Sequence, residues 1–148
     1  ENIGTTNCHV MRTNRDALGQ ALGQAIEIEG HTDLAIDGVK FSGNAQRRKR
    51  DALLFHGTIL LAFDLPLIGQ ALRLPSSEPD YREGRSHETF CRNIPLTPEV
   101  VKQALGQSWL CGGQAPPIDA GKVQRLAGEK YSRPDWIHRR AKRSQASE

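Results

Sequence analysis

Apolar residues recur at helical spacing near the start of the chain. Met11, Leu18, Ala21, Leu22, Ala25 and Ile26 fall on one face at steps of three, four and seven. Thr5, Thr6 and Asn7 supply oxygens that can cap such a helix. Gly19 and Gly23 each weaken it by about 1 kcal/mol relative to alanine, so it must rely on packing. The pattern then changes period. Leu34-Ala35-Ile36 and Val39-Lys40-Phe41 flank Asp37-Gly38, the preferred two-residue turn of a β-hairpin. That turn pairs Ile36 with Val39, Ala35 with Lys40 and Leu34 with Phe41. Leu34, Ile36, Val39 and Phe41 then share an apolar face, and Lys40 projects from the other, opposite the small Ala35.

Ser42 to Gln46 continues the second strand, and Gly43 within it marks a bulge or a close backbone approach. Leu53 to Leu61 reads as a buried strand. Asp64 precedes a short helix with Pro66 in its first turn and Leu65, Ile68 and Leu72 on its apolar face. Pro75–Gly84 reads as a loop and Arg85–Asn93 as polar and irregular. Thr97-Pro98-Glu99 opens a helix with Val101, Ala104, Leu105 and Trp109 inward. Cys111–Pro117 is a Gly/Pro loop, and Asp119 caps a last helix carrying Val123, Leu126 and Ala127. The order α-β-β-β-α-α-α is an α+β pattern.

The chain has 148 residues, 37% hydrophobic and 25% charged, enough for one domain with one core. The Leu53–Leu67 run is broken by His56 and Asp64 and is too short and polar to span a bilayer. The first residues lack the basic and apolar regions of a secretory signal. A soluble, cytoplasmic protein with no membrane partner is expected. Three scattered cysteines, Cys8, Cys91 and Cys111, form no CxxC pair, so reduced thiols are expected. Net charge is +3, with basic clusters at Arg47–Arg50 and His138–Arg143. The four Phe, two Trp and two Tyr do not interleave with those clusters, which disfavours nucleic acid as a partner. Residues 138–148 are expected to be a basic, disordered tail, and residues 1–137 the domain.

Asp33 to Thr58 concentrates chemistry-bearing residues: a lysine on a hairpin face, a glycine close by, a carboxylate at the strand start, Arg47 and His56. Each has an ordinary explanation: Lys40 as a solvated strand lysine, Gly43 as a bulge, His56 as a core histidine, Asp33 as a turn cap. Together they suit an anionic ligand, a carboxylate or a phosphate, over a sheet.

Asp33-Leu34, the run Asp37-Gly38-Val39-Lys40-Phe41-Ser42-Gly43-Asn44-Ala45-Gln46-Arg47, and His56-Gly57-Thr58-Ile59-Leu60-Leu61 resemble the central signature of lipoate–protein ligases. Weaker similarity continues to Lys130-Tyr131 and Trp136. The resemblance implies the C-terminal half of that family's catalytic domain. The expected fold is a mixed β-sheet flanked by helices, similar to the biotin/lipoate ligase and class II synthetase core, with only part of that domain present.

It also implies a two-step reaction. Lipoate and ATP, with Mg²⁺, give lipoyl-adenylate, and a carrier-domain lysine then takes the acyl group and expels AMP. Lys40 matches the family's catalytic lysine, a fixed cation for the reacting oxygens. Ser42, Gly43, Asn44 and Arg47 are implied on the substrate side, and Asp33, His56, Gly57 and Thr58 on the nucleotide side. No metal ligand is assigned. The implied partners are lipoyl carrier domains, in the E2 subunits of 2-oxoacid dehydrogenases or in the glycine-cleavage H protein.

The family's Arg-Arg-x-x-Gly-Gly-Gly segment does not occur here. A fragment, a truncated reading frame or a subunit of a split ligase, completed by an N-terminal chain, is therefore expected. Two alternatives accompany the ligase reading. One is an octanoyl or lipoyl transferase with a cysteine nucleophile, a role open to Cys91. The other is a non-catalytic half-domain that binds a complementary chain.

Overall fold

In the computed structural model, helix α1 (Ile3–Leu22) starts one turn earlier than the threonines indicate. Asn2 is its cap, and the Asn2 side chain accepts the Thr5 N–H at 2.8 Å. Gly23 ends it at φ +65°, a conformation that glycine adopts without strain. Ala25 and Ile26, expected on the helix, lie beyond it. Ile26 still reaches the core, from the approach to a short strand β1 (Glu27–Glu29) that the sequence reading missed. Three residues are too few to show a period.

The structure describes residues 2–113 and 117–139. They fall in two units, one up to Gly112 and one from Gly113, which divides the chain within the Gly/Pro loop.

In the first unit, β1, β2 (Asp33–Ile36), β3 (Val39–Arg48) and β4 (Leu53–Ile59) form one sheet in that order. All three strand pairings are antiparallel, where a mixed sheet was expected. Parallel geometry enters among the described residues only as an isolated bridge between Lys40 and Cys91.

The hairpin turn is as the sequence indicates. Asp37 and Gly38 both have positive φ, as the tight turn between twisted strands requires. Glu27 adds a carboxylate that accepts the Gly38 N–H at 3.0 Å. Ile36 pairs with Val39 and Ala35 with Lys40, but Leu34 pairs with Ser42. Phe41 is the extra residue of a β-bulge. Its carbonyl accepts from Leu60 at 2.8 Å, and the Lys40 carbonyl accepts from Arg92 at 2.8 Å, so the disturbed ladder keeps its partners.

The bulge changes the phase of β3. Beyond it Ser42, Asn44, Gln46 and Arg48 face α1. Gln46 donates to the Ile3 carbonyl and to Asn7 Oδ1, and Arg48 donates to Thr6 Oγ1. Gly43, Ala45 and Arg47 take the opposite face, in phase with Lys40.

The core joins Met11 and Leu18 of α1 to Ile26, Leu34, Ile36, Phe41, Ile94 and Val101. Strand β4, expected to be buried, is an edge strand. Leu53 and Leu54 are exposed, and only Phe55 and Ile59 of this strand pack against the core. Helix α2 (Leu65–Ala71) has Pro66 in its first turn, but Asp64 makes no side-chain cap bond and no residue of the helix is buried. A 3₁₀ turn (Asp80–Arg82) and a short α3 (His87–Phe90) occupy stretches read as loop and irregular. Helix α4 (Pro98–Ser108), capped by Thr97, packs on α1 through Val101. Trp109 donates to Asn14 Oδ1 at 2.8 Å, although its ring stays partly exposed.

The second unit contains α5 (Ala120–Leu126), capped by Asp119, a π-helical turn (Ala127–Tyr131) and α6 (Pro134–Ile137). Lys130 lies over the Tyr131 and Trp136 rings, and Arg139 stacks on Trp136 at 3.8 Å. Residues 140–148, most of the expected tail, lie outside those described.

Candidate active site around Lys40

Lys40 leaves β3 on the face opposite the core, as the hairpin dictates, but that face is not open. Ala35, its cross-strand neighbour, is fully buried. The segment from Tyr81 to Cys91 covers it. Arg85 donates to the Gly38 carbonyl at 3.0 Å and to the Tyr81 carbonyl, which ties this segment to the hairpin turn. The Phe90 ring lies within cation–π reach of Lys40, Arg82 and Arg85, at 5.9, 4.7 and 5.3 Å. Arg82 is nearly fully buried, donates to the Arg85 carbonyl and pairs with Glu78 at 3.3 Å.

The Lys40 ammonium is 2.8 Å from Asp33 Oδ1, with 26% of the lysine side chain and 16% of the aspartate side chain exposed. The other carboxylate oxygen of Asp33 accepts the Tyr81 hydroxyl at 2.7 Å. Gly43 makes room for this arrangement. A Cβ there would stand 2.9 Å from Lys40 Nζ and 3.0 Å from Cε. The bulge is what places Gly43 beneath the lysine.

Cys91 sits beside Lys40 along β3, past the point where β4 ends. It is half-buried, and burial pushes its thiol up while the Lys40 and Arg82 cations pull it down. Burial, and then the bond to and charge of Asp33, raise the Tyr81 phenol far above its ordinary range, so it remains a donor. A cleft of about 730 Å³ opens beside Asp33 and Tyr81, between the β1–β2 turn and the Ser77–Tyr81 segment.

The remaining expected site residues divide by face. Gly43 and Arg47 share the Lys40 face, as do Thr58 and His56, their cross-strand neighbours or one pair removed. Arg47 is exposed and four residues past Gly43, about 13 Å along the strand. Ser42 is buried on the opposite face. Asn44 lies there too, donating to the Thr32 carbonyl at 2.8 Å and to Ser42 Oγ at 3.1 Å. Gly57 pairs with Asn44, and a Cβ on it would collide with the Asn44 side chain. The sequence reading did not single out Tyr81, Arg82, Arg85 or Phe90. They lie in stretches without periodicity, and the available signal was one: aromatic and arginine residues close to a cysteine.

A family profile described as lipoyl protein ligase A/B catalytic domain matches residues 11–106, well over half of the chain. The chain belongs to that family. Its matched region contains Asp33, Lys40, Gly43, Tyr81 and Cys91. An octanoyltransferase, LipM of Kyrpidia tusciae, is 28% identical over 120 residues, covering 73% of this chain and 44% of that protein. Lipoate–protein ligase 1 of Staphylococcus aureus is 25% identical over 132 residues, covering 82% of this chain and 40% of that protein. The chain thus spans less than half the length of these curated relatives.

A crystal structure of lipoate–protein ligase A bound with ATP superposes with a TM-score of 0.74 at 18% identity, over 91% of this chain and 59% of that one. At that identity the likeness shows the shared fold. The α+β architecture and the family expected from the Lys40 motif are therefore those found. Ligases and octanoyltransferases both occur among the relatives that the chain matches.

Among the described residues no group of three or more His, Cys, Asp or Glu is placed to hold a metal ion. Both oxygens of Asp33, the carboxylate beside Lys40, are engaged. These residues do not by themselves make a magnesium site, and the chemistry they offer is that of the Lys40 cation and its neighbours. No helix of the described residues is long and apolar enough to cross a membrane.

Proposed function

We propose that the Lys40 face binds the carboxyl end of a lipoyl or octanoyl group and directs its transfer to the side-chain amine of a carrier-domain lysine. The observation that supports this reading is the held Lys40 ammonium, fixed by Asp33 across Gly43 and shielded by Phe90. A cation fixed before reaction stabilises charge that develops on nearby oxygens, and it does so more strongly when partly screened from water.

The first reading is a ligase. A lipoate carboxylate oxygen attacks the α-phosphorus of ATP, and pyrophosphate leaves. The carrier amine then attacks the acyl carbon, the bond to AMP breaks, and the amine gives up a proton as the amide forms. Lys40 faces the oxygens that carry charge in both steps. Gly43 and Arg47 serve the acyl side, with Ser42 and Asn44 holding the backbone from behind. Asp33, His56, Gly57 and Thr58 serve the nucleotide side, Asp33 through its hold on Lys40 and Gly57 from the opposite face, by letting β4 approach Asn44 closely. Mg²⁺ would accompany the ATP. The carriers are the lipoyl domains of 2-oxoacid dehydrogenases or the glycine-cleavage H protein, and an N-terminal ligase segment would complete the site.

A second reading is favoured by one observation, the Cys91 bridge to Lys40. In it the Cys91 thiolate takes the acyl group from a thioester donor, and the carrier amine then takes it from Cys91. Burial works against that thiolate, and Lys40 works for it.

The test uses the full-length protein and an unmodified carrier domain. One arm supplies lipoate, ATP and Mg²⁺. The other supplies an octanoyl thioester as acyl donor and no ATP. The ligase reading expects acylation in the first arm, lost about a hundredfold or more in Lys40→Ala and kept in Cys91→Ser. Activity confined to the second arm and lost in Cys91→Ser establishes the transferase instead. Full activity of Lys40→Ala in both arms removes the proposal.

A further inference from the structure

Lys40 is held by Asp33, which raises the question of what holds Asp33. A carboxylate rotates broadly about its last side-chain bond, so one partner on one oxygen leaves it free to swing. Here the two oxygens have separate partners, Lys40 Nζ at 2.8 Å and Tyr81 Oη at 2.7 Å. With both engaged, the carboxylate plane is determined.

Tyr81 is itself well fixed. Its ring packs on Phe90 with centroids 5.1 Å apart. Its carbonyl is bound by Arg85, which also binds the hairpin turn at the Gly38 carbonyl. Gly30 also lies close to the ring, where an added Cβ would be 3.7 Å from a ring carbon. The hydroxyl therefore reaches Asp33 from a ring anchored to the same hairpin that carries Lys40.

We propose that Tyr81 is a positioning residue for Lys40, acting through Asp33, in the reaction assigned above to the Lys40 face. Its hydroxyl sets the carboxylate, and the carboxylate sets the ammonium over Gly43. The phenol does not touch the reacting atoms in this role. Its hydroxyl donates a hydrogen bond to Asp33, and burial keeps the proton on the phenol oxygen.

The experiment reads Lys40 directly, without depending on catalysis. The full-length protein is treated with an amine-reactive N-hydroxysuccinimide ester, and the labelling rate of each lysine is followed by peptide mass spectrometry. Tyr81→Phe keeps the ring and its packing and removes only the hydroxyl. Lys40 should label about three- to tenfold faster in this variant, the net scale of one ordinary hydrogen bond lost, while the exposed Lys49 and Lys102 label as before. Asp33→Asn should raise Lys40 labelling as well. The double variant should match Asp33→Asn alone, because the two residues act in series.

Unchanged Lys40 labelling in Tyr81→Phe overturns the proposal, and so does a double variant whose rate is the product of the two single effects. Carrier acylation is measured in parallel. Faster labelling in Tyr81→Phe with an indifferent Lys40→Ala enzyme upholds the positioning and removes the function assigned to the face.

Discussion

A strand lysine on a solvated face can be replaced by alanine with little effect on folding. Lys40 is not such a residue, because it neutralises a mostly buried carboxylate. Lys40→Ala should therefore cost stability as well as activity. We expect about 1–2 kcal/mol, the scale of leaving a partly buried charge with one partner fewer, read as a lower midpoint in urea unfolding. Carrier acylation should fall much further, and a loss of activity no larger than the loss of folded protein would contradict a role at the reacting oxygens. Gly43→Ala separates position from charge. Its Cβ would meet the flexible end of Lys40, so the lysine yields and the fold survives. The melting temperature should stay within a few degrees of the parent, while acylation drops by about ten- to a hundredfold because the cation is displaced. An active Gly43→Ala protein would show that the ammonium need not lie across that glycine.

At the scale of elements, the site depends on the bulge at Phe41. An unbroken ladder would put Lys40 in phase with Ser42, Asn44 and Gln46, which face α1. The extra residue puts it in phase with Gly43 and Arg47. Beyond the bulge β3 is held to β4 by a close approach at Gly57. A side chain there would meet Asn44 Oδ1 and the Gly43 carbonyl, and Asn44 is already committed to Thr32 and Ser42. The backbone and a bound amide cannot both give way. Gly57→Ala should thus destabilise the protein by about 1–3 kcal/mol, checked by urea denaturation. Amide exchange should speed up first across the β3–β4 pairs, and uniform protection there would argue that the strands can part slightly at no cost.

For the whole molecule, two half-buried titratable groups set an alkaline limit. Tyr81 and Cys91 both have raised pKa values in the folded state, chiefly through burial. Between its ordinary value and its raised value, each group is protonated when folded and deprotonated when unfolded. Rising pH then favours the unfolded chain. Their contribution is complete below the ordinary thiol and phenol values, about 8.5 and 10, and is lost as pH climbs past them. The melting temperature should fall above about pH 9. Tyr81→Phe and Cys91→Ser should each make that fall shallower. Parallel pH profiles for the parent and both variants would show that neither group is buried enough to matter. Every residue of the hydrophobic core cluster lies before Gly113, so this behaviour belongs to the first unit.

Local rules carried the reading a long way where the chemistry is local. Asp37-Gly38 determined a turn with two positive φ values and with it the first two cross-strand pairs. The run from Asp33 to Thr58 determined the family, because order and spacing of several unusual residues rarely recur by chance. Caps at Thr97 and Asp119 located their helices, since a cap bond spans only three residues. Contacts between distant segments decided the rest. The bulge cannot be seen in Phe41 itself. It follows from the fit of Leu34 to Ser42 and from Leu60 and Arg92 bonding the displaced carbonyls. Leu53–Ile59 has the composition of an interior strand, yet sheet order put it at the edge. Tyr81 and Asp33, 48 residues apart, share a hydrogen bond that no period or motif announces. Sequence spacing encodes which side chains share a strand or helix face. Which faces meet is settled by the packing free energy of the whole chain, and it was that packing that placed Tyr81, Phe90 and Cys91 around Lys40.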